Sequence, residues 1–290
     1  MLAVLAAVLV VARSELCLQG GFESQLQQVL DAYMLRPQLE ACIITTVADD
    51  VLRTLSPRWQ GIEMTPFGSL VTGLGTHSSD LDFSVTMPNY NSSRDAEWDM
   101  LDEINELVMQ QPDLYSEIHY FTRADFARYS FNHSTTHRKV DLVFRLGDNG
   151  VQNSKVIKYY FHLDDRFLPL GVLLKLAFEI HDLIGPGVLK NYAVYLLVIF
   201  SYNKEHGACR FRVTKRRGEL LQLITVKDTE RIKKFLKSAA AWFEDLPADR
   251  FLSAILSKQQ DSDTQSSSEQ NCIDIPYSGD TATLHLTCSK

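Results

Sequence analysis

Two aspartates separated by a single apolar residue, Asp80 and Asp82, have the spacing of residues that act together. In an extended strand successive side chains alternate between the two faces, so both carboxylates point to one face while Leu81 and Phe83 point into the core. Two unpaired carboxylates repel each other, whereas a Mg²⁺ ion takes oxygen ligands and removes that repulsion. The spacing therefore indicates a divalent-cation site.

A third carboxylate of this kind belongs to Asp141, which lies in an apolar, extended segment at residues 139–146. An isolated aspartate inside a buried strand is costly unless its charge is compensated. The flanking residues that make this strand apolar are Val140, Leu142, Val143 and Phe144. We therefore expect Asp141 to join Asp80 and Asp82 in one metal site.

A Gly-Ser pair, Gly68 and Ser69, stands ahead of these aspartates, between a predicted strand and a short helical turn. At such a place free backbone N–H groups and a hydroxyl are aimed at an anion, and glycine lets the backbone approach closely. Either feature alone is more often a solvated turn or loop. The joint pattern of Gly-Ser, ten residues, Asp-Leu-Asp and a later Asp on a second apolar strand is specific. A triphosphate bound there would lie beside Asp80 and Asp82, as two-metal phosphoryl or nucleotidyl transfer requires.

The elements that position these residues follow from the spacing of apolar side chains. Residues 22–55 repeat apolar side chains every three or four positions, which predicts two helices separated near Pro37. Short extended runs are predicted at residues 63–67, 80–85, 117–122 and 139–146, with a helix at 95–109 between them. Further helices are predicted at residues 155–160, 169–180, 189–203 and 229–246.

This order of elements predicts an α+β fold, with a small mixed α/β domain followed by a mostly helical second domain. The predicted segments are an apolar N-terminal stretch at residues 1–21, helices packing on the second domain at 22–60, the mixed domain at 61–150 and the helical domain at 151–290. Residues 259–270 are polar and of low complexity, so we expect a disordered loop there.

The composition is that of a globular protein with a packed core, since 45% of the 290 residues are hydrophobic. A formal charge of −7 argues against non-specific nucleic-acid binding over the whole surface, so any RNA contact must use a local patch. One basic cluster fits such a patch, although a charge run is more often a solvated face. Its members are Arg210, Arg212, Lys215, Arg216 and Arg217.

His133 and His137 are expected in a loop before the Asp141 strand and not in a metal site.

The cysteines and the N-terminus bear on the compartment. Five cysteines lie far apart without a CxxC pair, which indicates neither a zinc site nor a dense disulfide framework and favours a reducing, intracellular compartment, cytoplasmic or nuclear. Residues 1–12 form an apolar run that lacks a positive n-region and is shorter than the ~20 residues of a membrane-spanning helix, so no transmembrane span is expected. The alternative of a signal peptide stays open.

The pattern of Gly68-Ser69, Asp80-Leu81-Asp82 and Asp141 resembles the DNA polymerase β superfamily of nucleotidyltransferases. Residues 67–85 are similar, more narrowly, to the terminal uridylyltransferases and the related poly(A) RNA polymerases. The resemblance implies a nucleotide cleft between the two domains and template-independent addition of UMP or AMP to RNA 3′ ends. It also implies UTP or ATP as the substrate triphosphate, with two Mg²⁺ or Mn²⁺ ions held by the three aspartates.

Further residues match the same family. Asn153 and Ser154 stand where the family places an asparagine that contacts the ribose and a hydroxyl residue beside it. Lys175, within an apolar helix, is similar to the lysine that contacts the phosphates. Asn191 and Tyr192 resemble the serine-tyrosine pair whose tyrosine stacks on the base. The resemblance therefore assigns nucleotide binding to these five residues together with Gly68 and Ser69.

Two departures from the family pattern leave alternatives open. Glu179 stands where the family often has a second lysine, and it would repel a triphosphate if it faced the site. Thr281 falls where the uridylyltransferases carry a histidine associated with uracil preference. One alternative is a catalytically weak homologue that acts as a binding or scaffold subunit. The other is a nucleotidyltransferase with a non-RNA acceptor.

Overall fold

The structure is a computed structural model, and it describes residues 13–88, 93–122, 126–144, 149–185, 188–206, 226–257 and 272–276. The elements, in chain order, are β1 (Arg13–Cys17), α1 (Phe22–Tyr33), α2 (Pro37–Leu55), β2 (Glu63–Phe67), α3 (Ser69–Thr72), β3 (Leu81–Thr86), α4 (Arg94–Val108), β4 (Tyr115–Thr122), β5 (Ala127–His133), β6 (Arg138–Phe144), α5 (Asn149–Phe161), α6 (Phe167–Ile180), α7 (Asn191–His206), α8 (Val226–Asp245), α9 (Ala248–Ile255) and β7 (Cys272–Pro276).

A five-stranded mixed sheet, in the order β2-β3-β6-β5-β4, forms the centre of one compact unit. β3 and β6 are parallel neighbours, and the other pairs are antiparallel. A parallel pair needs a long crossover, which here is supplied by α4, β4 and β5. The first residues of β3 and β6 therefore lie near each other at the same end of the two strands, although they are far apart in sequence.

One face of this sheet is apolar and packs against the buried sides of α2 and α4. Alternate residues of the central strands supply that face, and α2 adds residues at helical spacing. Each of these side chains is buried, and each contributes about 1.5–3 kcal/mol of hydrophobic stabilisation. The residues of β3 and β6 on this face are Leu81, Phe83, Val85, Val140, Leu142 and Phe144.

Several predicted elements are confirmed. The helical period of residues 22–55 gives α1 and α2, and Pro37 occupies the first turn of α2, where its missing N–H costs nothing. The predicted α+β class is also confirmed. The loop expected to hold both His133 and His137 is corrected at His133, because residues 127–133 form the strand β5. His133 ends that strand and is fully buried, with hydrogen bonds to Thr136 and Asp50.

The described residues divide into two compact units, one drawn from residues 13–33, 173–194 and 226–276 and the other from residues 34–172 and 195–206. In the described part of the first unit, β1 pairs with β7, Phe22 contacts Phe251, and Phe178 contacts Phe235 edge-on at 5.4 Å between ring centroids. The second unit contains the mixed sheet. The domain boundaries expected at residues 22, 61 and 151 stay predictions.

Cys17 and Cys42 are both disulfide-bonded, which the cysteine spacing did not indicate. Distance along the chain does not show which sulfurs the fold brings together, and the intracellular compartment stays a prediction. Within the described ranges no helix is long and apolar enough to cross a membrane. The apolar residues 1–12, the basic cluster, the polar stretch 259–270 and Thr281 lie outside the described residues.

Candidate active site

The sheet brings two of the three predicted aspartates side by side. Asp82 on β3 is the direct register partner of Asp141 on β6. Their neighbours Phe83 and Leu142 are in the core, so alternation places both carboxylates on the opposite face of the sheet. Asp80 immediately precedes β3 and lies two residues from Asp82, which directs it to the same face. Its side chain is 47% exposed, whereas that of Asp141 is 7% exposed.

The neighbouring carboxylates of this cluster affect the pKa of Asp82. Burial, followed by the carboxylates of Asp141 and then Asp80, raises the pKa of Asp82 from 3.8 to about 7. Arg128 and Lys139 act in the opposite direction without cancelling these effects. Three carboxylates at one sheet edge therefore lack enough positive charge among the described side chains, and an added cation would relieve their repulsion.

Asp141 is held by two residues of β5 that sequence reasoning missed. The hydroxyl of Ser130, its register partner, donates to Asp141 Oδ1 at 2.6 Å. The guanidinium of Arg128 forms an ion pair with Asp141 Oδ2, and its Nε donates to Ser130 Oγ at 2.9 Å. Both lone-pair-bearing oxygens of this nearly buried carboxylate therefore already have donors.

A second cation faces Asp80. Lys139 Nζ donates to Asp80 Oδ2 at 3.1 Å, and both side chains are about half exposed. An exposed pair of this kind contributes only about 0–1 kcal/mol, so it leaves Asp80 available to stronger partners. Lys139 and Arg128 thus supply positive charge to the carboxylates that a metal cation would bind.

These residues fit a divalent metal by the chemistry of the donors. All three candidate ligands offer carboxylate oxygens, which Mg²⁺ and Mn²⁺ prefer. In the part of the chain that the structure describes, no group of three or more His, Cys, Asp or Glu side chains is placed so that it could hold a metal ion as it stands. Both oxygens of Asp141 are engaged by Arg128 and Ser130.

Gly68 lies directly against the carboxylate cluster. β2 pairs with β3 so that Phe67 is opposite Asp82, and Gly68 follows with φ of 80° at the start of α3. A Cβ atom built at Gly68 would overlap Asp82 Oδ2. The Gly68 N–H donates to Ser154 Oγ at 2.8 Å, and the Ser154 hydroxyl donates to Gly150 O at 2.9 Å. The structure therefore brings Gly68, Ser154 and Asp82 together.

Gly68→Ala should destabilise the fold more than the same change at Gly61. Both glycines have positive φ, 80° and 83°, so both substitutions introduce about 1–2 kcal/mol of backbone strain. At Gly61 the added Cβ would meet only Pro88 Cγ at 3.8 Å, whereas at Gly68 it overlaps the Asp82 carboxylate. The overlap should add about 1–3 kcal/mol, measured as the difference in urea unfolding free energy. Equal losses for the two variants would contradict this contact.

The remaining predicted residues occupy other parts of the fold. Asn153 is partly buried on α5 of the second unit. Lys175, Asn191 and Tyr192 belong to the first unit. Tyr192 is half-buried, and burial raises its pKa. The Asn191 Oδ1 atom is buried and has no hydrogen-bond partner among the described residues.

Lys175 is 1% exposed on the apolar helix α6. Its ammonium lies 3.8 Å from Glu179 Oε1, one helical turn further on, and the ring of Tyr33 is 6.0 Å away. The Tyr33 hydroxyl donates to the other carboxylate oxygen of Glu179. Glu179, the departure noted in the sequence, therefore serves as the counter-ion of the lysine that the family resemblance assigns to phosphate.

Comparisons with known proteins support the same class. Residues 22–162 match the family model described as poly(A) RNA polymerase, mitochondrial-like, central palm domain. The structure of mtPAP in complex with ATPγS is 20% identical, with a TM-score of 0.57, and covers 64% of this chain and 43% of that chain. The apo form of mtPAP is 18% identical, with a TM-score of 0.58, and covers 66% and 44%. A comparison with curated proteins finds no match.

A poly(U) polymerase shares the architecture as well. Cid1 bound to MgATP is 20% identical, with a TM-score of 0.50, and covers 59% of this chain and 53% of that chain. The chain therefore spans about half the length of these relatives. It has the fold of the polymerase β-type nucleotidyltransferases, and the resemblance predicted from the sequence is confirmed. The part of the chain that matches the palm-domain model of the mitochondrial-like poly(A) RNA polymerases is residues 22–162.

Proposed function

We propose that this chain is a template-independent RNA nucleotidyltransferase that adds UMP or AMP to RNA 3′ ends. The observation that carries the proposal is the register of Asp82 with Asp141 beside the Gly68-Ser69 turn. Structures of mtPAP with ATPγS, GTP, CTP and UTP, and of Cid1 with MgATP, support a nucleoside triphosphate as the ligand of this fold.

The three aspartates would hold two Mg²⁺ or Mn²⁺ ions, which when bound supply Lewis-acid charge at the α-phosphate. Asp141 would accept a hydrogen bond from the RNA 3′-hydroxyl and orient it toward the α-phosphorus. The new bond forms between that oxygen and the α-phosphorus while the hydroxyl proton passes to Asp141, and the bond from the α-phosphorus to pyrophosphate breaks in line. Ser130 restrains the Asp141 carboxylate through its 2.6 Å hydrogen bond, so the acceptor is pre-positioned.

The triphosphate would be held by the Gly68 turn and by the residues that the family resemblance assigns to nucleotide binding. Ser69 would donate its hydroxyl to a phosphate oxygen, and Ser154 would keep the turn in place through its hydrogen bond to the Gly68 N–H. Asn153 would contact the ribose and Tyr192 the base. Lys175 would contact the terminal phosphates, and since Glu179 already neutralises it, a triphosphate has to compete with that carboxylate.

A second candidate is a catalytically weak homologue that binds nucleotide or RNA without efficient transfer. Two observations favour it. Arg128 forms an ion pair with Asp141 Oδ2, where a metal ion would compete with it. Glu179 forms an ion pair with the ammonium of Lys175. Both ion pairs would have to be displaced before metal ions and triphosphate bind, although all three aspartates are present.

Incubation of the full chain with a labelled oligoribonucleotide, Mg²⁺ or Mn²⁺ and each of the four triphosphates in turn separates these functions. Extension by UTP or ATP, absent in Asp82→Asn, supports the transferase. Metal-dependent triphosphate binding without extension supports the weak homologue. The absence of both binding and extension would overturn the assignment.

Tyr192→Ala should raise the KM for the triphosphate and leave kcat nearly unchanged. Stacking on a base contributes about 1–3 kcal/mol to ground and transition states alike, so KM should rise about 5-fold to 150-fold. Tyr192→Phe keeps the ring and should be mild, and Tyr159→Ala removes a tyrosine that is 63% exposed on α5 as a control. Steady-state kinetics measure all three. A Tyr192→Ala variant with wild-type KM would show that this ring is a core residue.

A further inference from the structure

Arg138, the first residue of β6, has a role that neither the motif nor the proposed mechanism assigns. Its side chain is 5% exposed, although arginine is among the residues least often buried. The terminal nitrogen Nη1 lies 3.5 Å from Thr76 O and 3.4 Å from Ser79 O, and it donates to His77 O. One buried guanidinium therefore faces three backbone carbonyls of a single loop.

That loop, residues 76–79, leads directly into Asp80. Two hydrogen bonds close the turn: Ser79 Oγ accepts from the Thr76 N–H at 3.0 Å, and the Ser79 N–H donates to Thr76 O at 3.0 Å. Thr76 also pairs with Met34 in an isolated bridge. Arg138 connects the loop to the sheet, because it extends from a strand of the sheet to the carbonyls of the loop.

β6 thereby affects the positions of two carboxylates, those of Asp80 and Asp141. Asp141 is three residues beyond Arg138, and Lys139, between them, donates to Asp80 Oδ2 at 3.1 Å. Any shift of the loop relative to β6 would change the separation of Asp80 from Asp82 and Asp141. A metal site tolerates little error of this kind, since ligand residues act only when held within about 0.5 Å of the productive geometry.

We propose that Arg138 is a positioning residue that fixes Asp80 for metal binding by holding the carbonyls of residues 76–79. The proposal rests on the proposed function, because it requires Asp80 to be a metal ligand. An arginine suits this task, since its planar guanidinium stays charged and presents several donors in a fixed geometry. A lysine at the same place would offer one flexible ammonium, which could reach a carbonyl but would hold the loop less firmly.

The test compares Arg138→Met and Arg138→Lys with Arg58→Met in the full chain. Arg58 is an exposed arginine of the same unit that bonds Glu103 away from the aspartates, so it controls for loss of a guanidinium as such. Mn²⁺ affinity is measured by electron paramagnetic resonance, without nucleotide or RNA. Amide hydrogen exchange in metal-free protein reports separately on residues 76–80 and on β3.

Arg138→Met should weaken Mn²⁺ binding about tenfold, the low end for residues that orient a metal ligand, with Arg138→Lys between it and wild type. Exchange should accelerate at residues 76–80 and stay unchanged in β3. In an Asp80→Asn background, Arg138→Met should cause no further loss of Mn²⁺ affinity, because its effect passes through Asp80. Arg58→Met should leave every measurement at the wild-type value.

Unchanged Mn²⁺ affinity in Arg138→Met, an added loss in the Asp80→Asn background, or uniformly faster exchange would each overturn the proposal. If Arg138→Met fails to fold, the same measurements on Arg138→Lys decide it, with a smaller expected change of the same kind. A wild-type chain that binds no Mn²⁺ would overturn the proposed function and this proposal with it. That result is distinguishable from failure of the Arg138 proposal alone, in which wild type binds and Asp80→Asn weakens binding.

Discussion

Asp82→Asn should abolish nucleotide addition and, in metal-free protein, raise the melting temperature. The substitution removes a carboxylate ligand, and metal charge at a reacting phosphate is worth several kcal/mol, so the rate should fall at least about 100-fold. It also removes the central charge of three neighbouring carboxylates, which repel one another when no cation is bound. Loss of activity and gain of stability should therefore accompany each other.

The gain in stability should depend on pH. The pKa of Asp82 is raised in the folded state from 3.8 to about 7 by burial and by the neighbouring carboxylates. Between these values the folded protein keeps a proton that the unfolded chain releases, so metal-free wild type should lose stability as the pH rises through this window. Asp82→Asn cannot titrate there, and its advantage should grow from pH 4 to pH 7.

Thermal melting in EDTA at several pH values, together with single-turnover addition, measures both effects. Asp99→Asn, an exposed substitution on α4, controls for the loss of one negative charge at the surface. An Asp82→Asn variant that kept wild-type activity would remove Asp82 from the metal site. A variant that melted lower than wild type at neutral pH would show that the carboxylate stabilises the fold, contrary to the repulsion inferred from its neighbours.

The sequence was sufficient to predict the carboxylate face because its signal is local. Leu81 and Phe83 flank Asp82 at alternate positions, and Val140 and Leu142 flank Asp141, so each strand specifies its own buried face. Once both strands enter one sheet, the parallel pairing of β3 with β6 brings the two aspartates together. The family resemblance pointed to the same three residues before the pairing was known.

β5 was missed although its residues alternate. Ala127, Tyr129 and Phe131 lie in the apolar core, and the residues between them, Arg128, Ser130 and Asn132, are polar. The alternate aromatic positions 129 and 131 were the available signal for an extended segment. Without β5 in the sheet, no argument from sequence could place Arg128 and Ser130 on Asp141, since that contact depends on the register of two strands.

Lys175 illustrates a second limit of the motif. The resemblance located it correctly on a helix, but the burial of its ammonium depends on Tyr33, which is far away in sequence, and on Glu179 one turn further on. Glu179, which departs from the family pattern and was expected to repel a triphosphate, is thus the ion-pair partner of a buried lysine. Breaking a buried ion pair costs more than the pair contributes, because the remaining charge loses its partner.

Arg128→Met should lower the stability of metal-free protein and increase the stabilisation that Mn²⁺ provides. The guanidinium of Arg128 neutralises Asp141, whose side chain is 7% exposed, while the arginine itself is 30% exposed. Its removal leaves that carboxylate with the Ser130 hydroxyl and the unfavourable charge of Asp82. A hydrogen bond to a charged group is worth about 1.5–3 kcal/mol, and the partial exposure of Arg128 favours the lower end.

The same contact opposes metal binding, because a cation that approaches Asp141 Oδ2 has to displace the guanidinium. Without Arg128 this cost of about 1.5 kcal/mol disappears, so Mn²⁺ should bind about tenfold more tightly. Lys139→Met is the matched control, since it removes a cation from Asp80 that is 47% exposed. A surface pair contributes only about 0–1 kcal/mol, so its effect on both measurements should be smaller.

Thermal shifts with and without Mn²⁺, together with direct Mn²⁺ titration, distinguish competition from support. Tighter Mn²⁺ binding by Arg128→Met would show that the guanidinium and the metal exclude each other at Asp141. Weaker binding would contradict the prediction and show that Arg128 orients the carboxylate for the metal, as the chain of bonds from Arg128 through Ser130 to Asp141 Oδ1 allows. The two mechanisms predict opposite changes in Mn²⁺ affinity, so the Mn²⁺ titration of Arg128→Met decides between them.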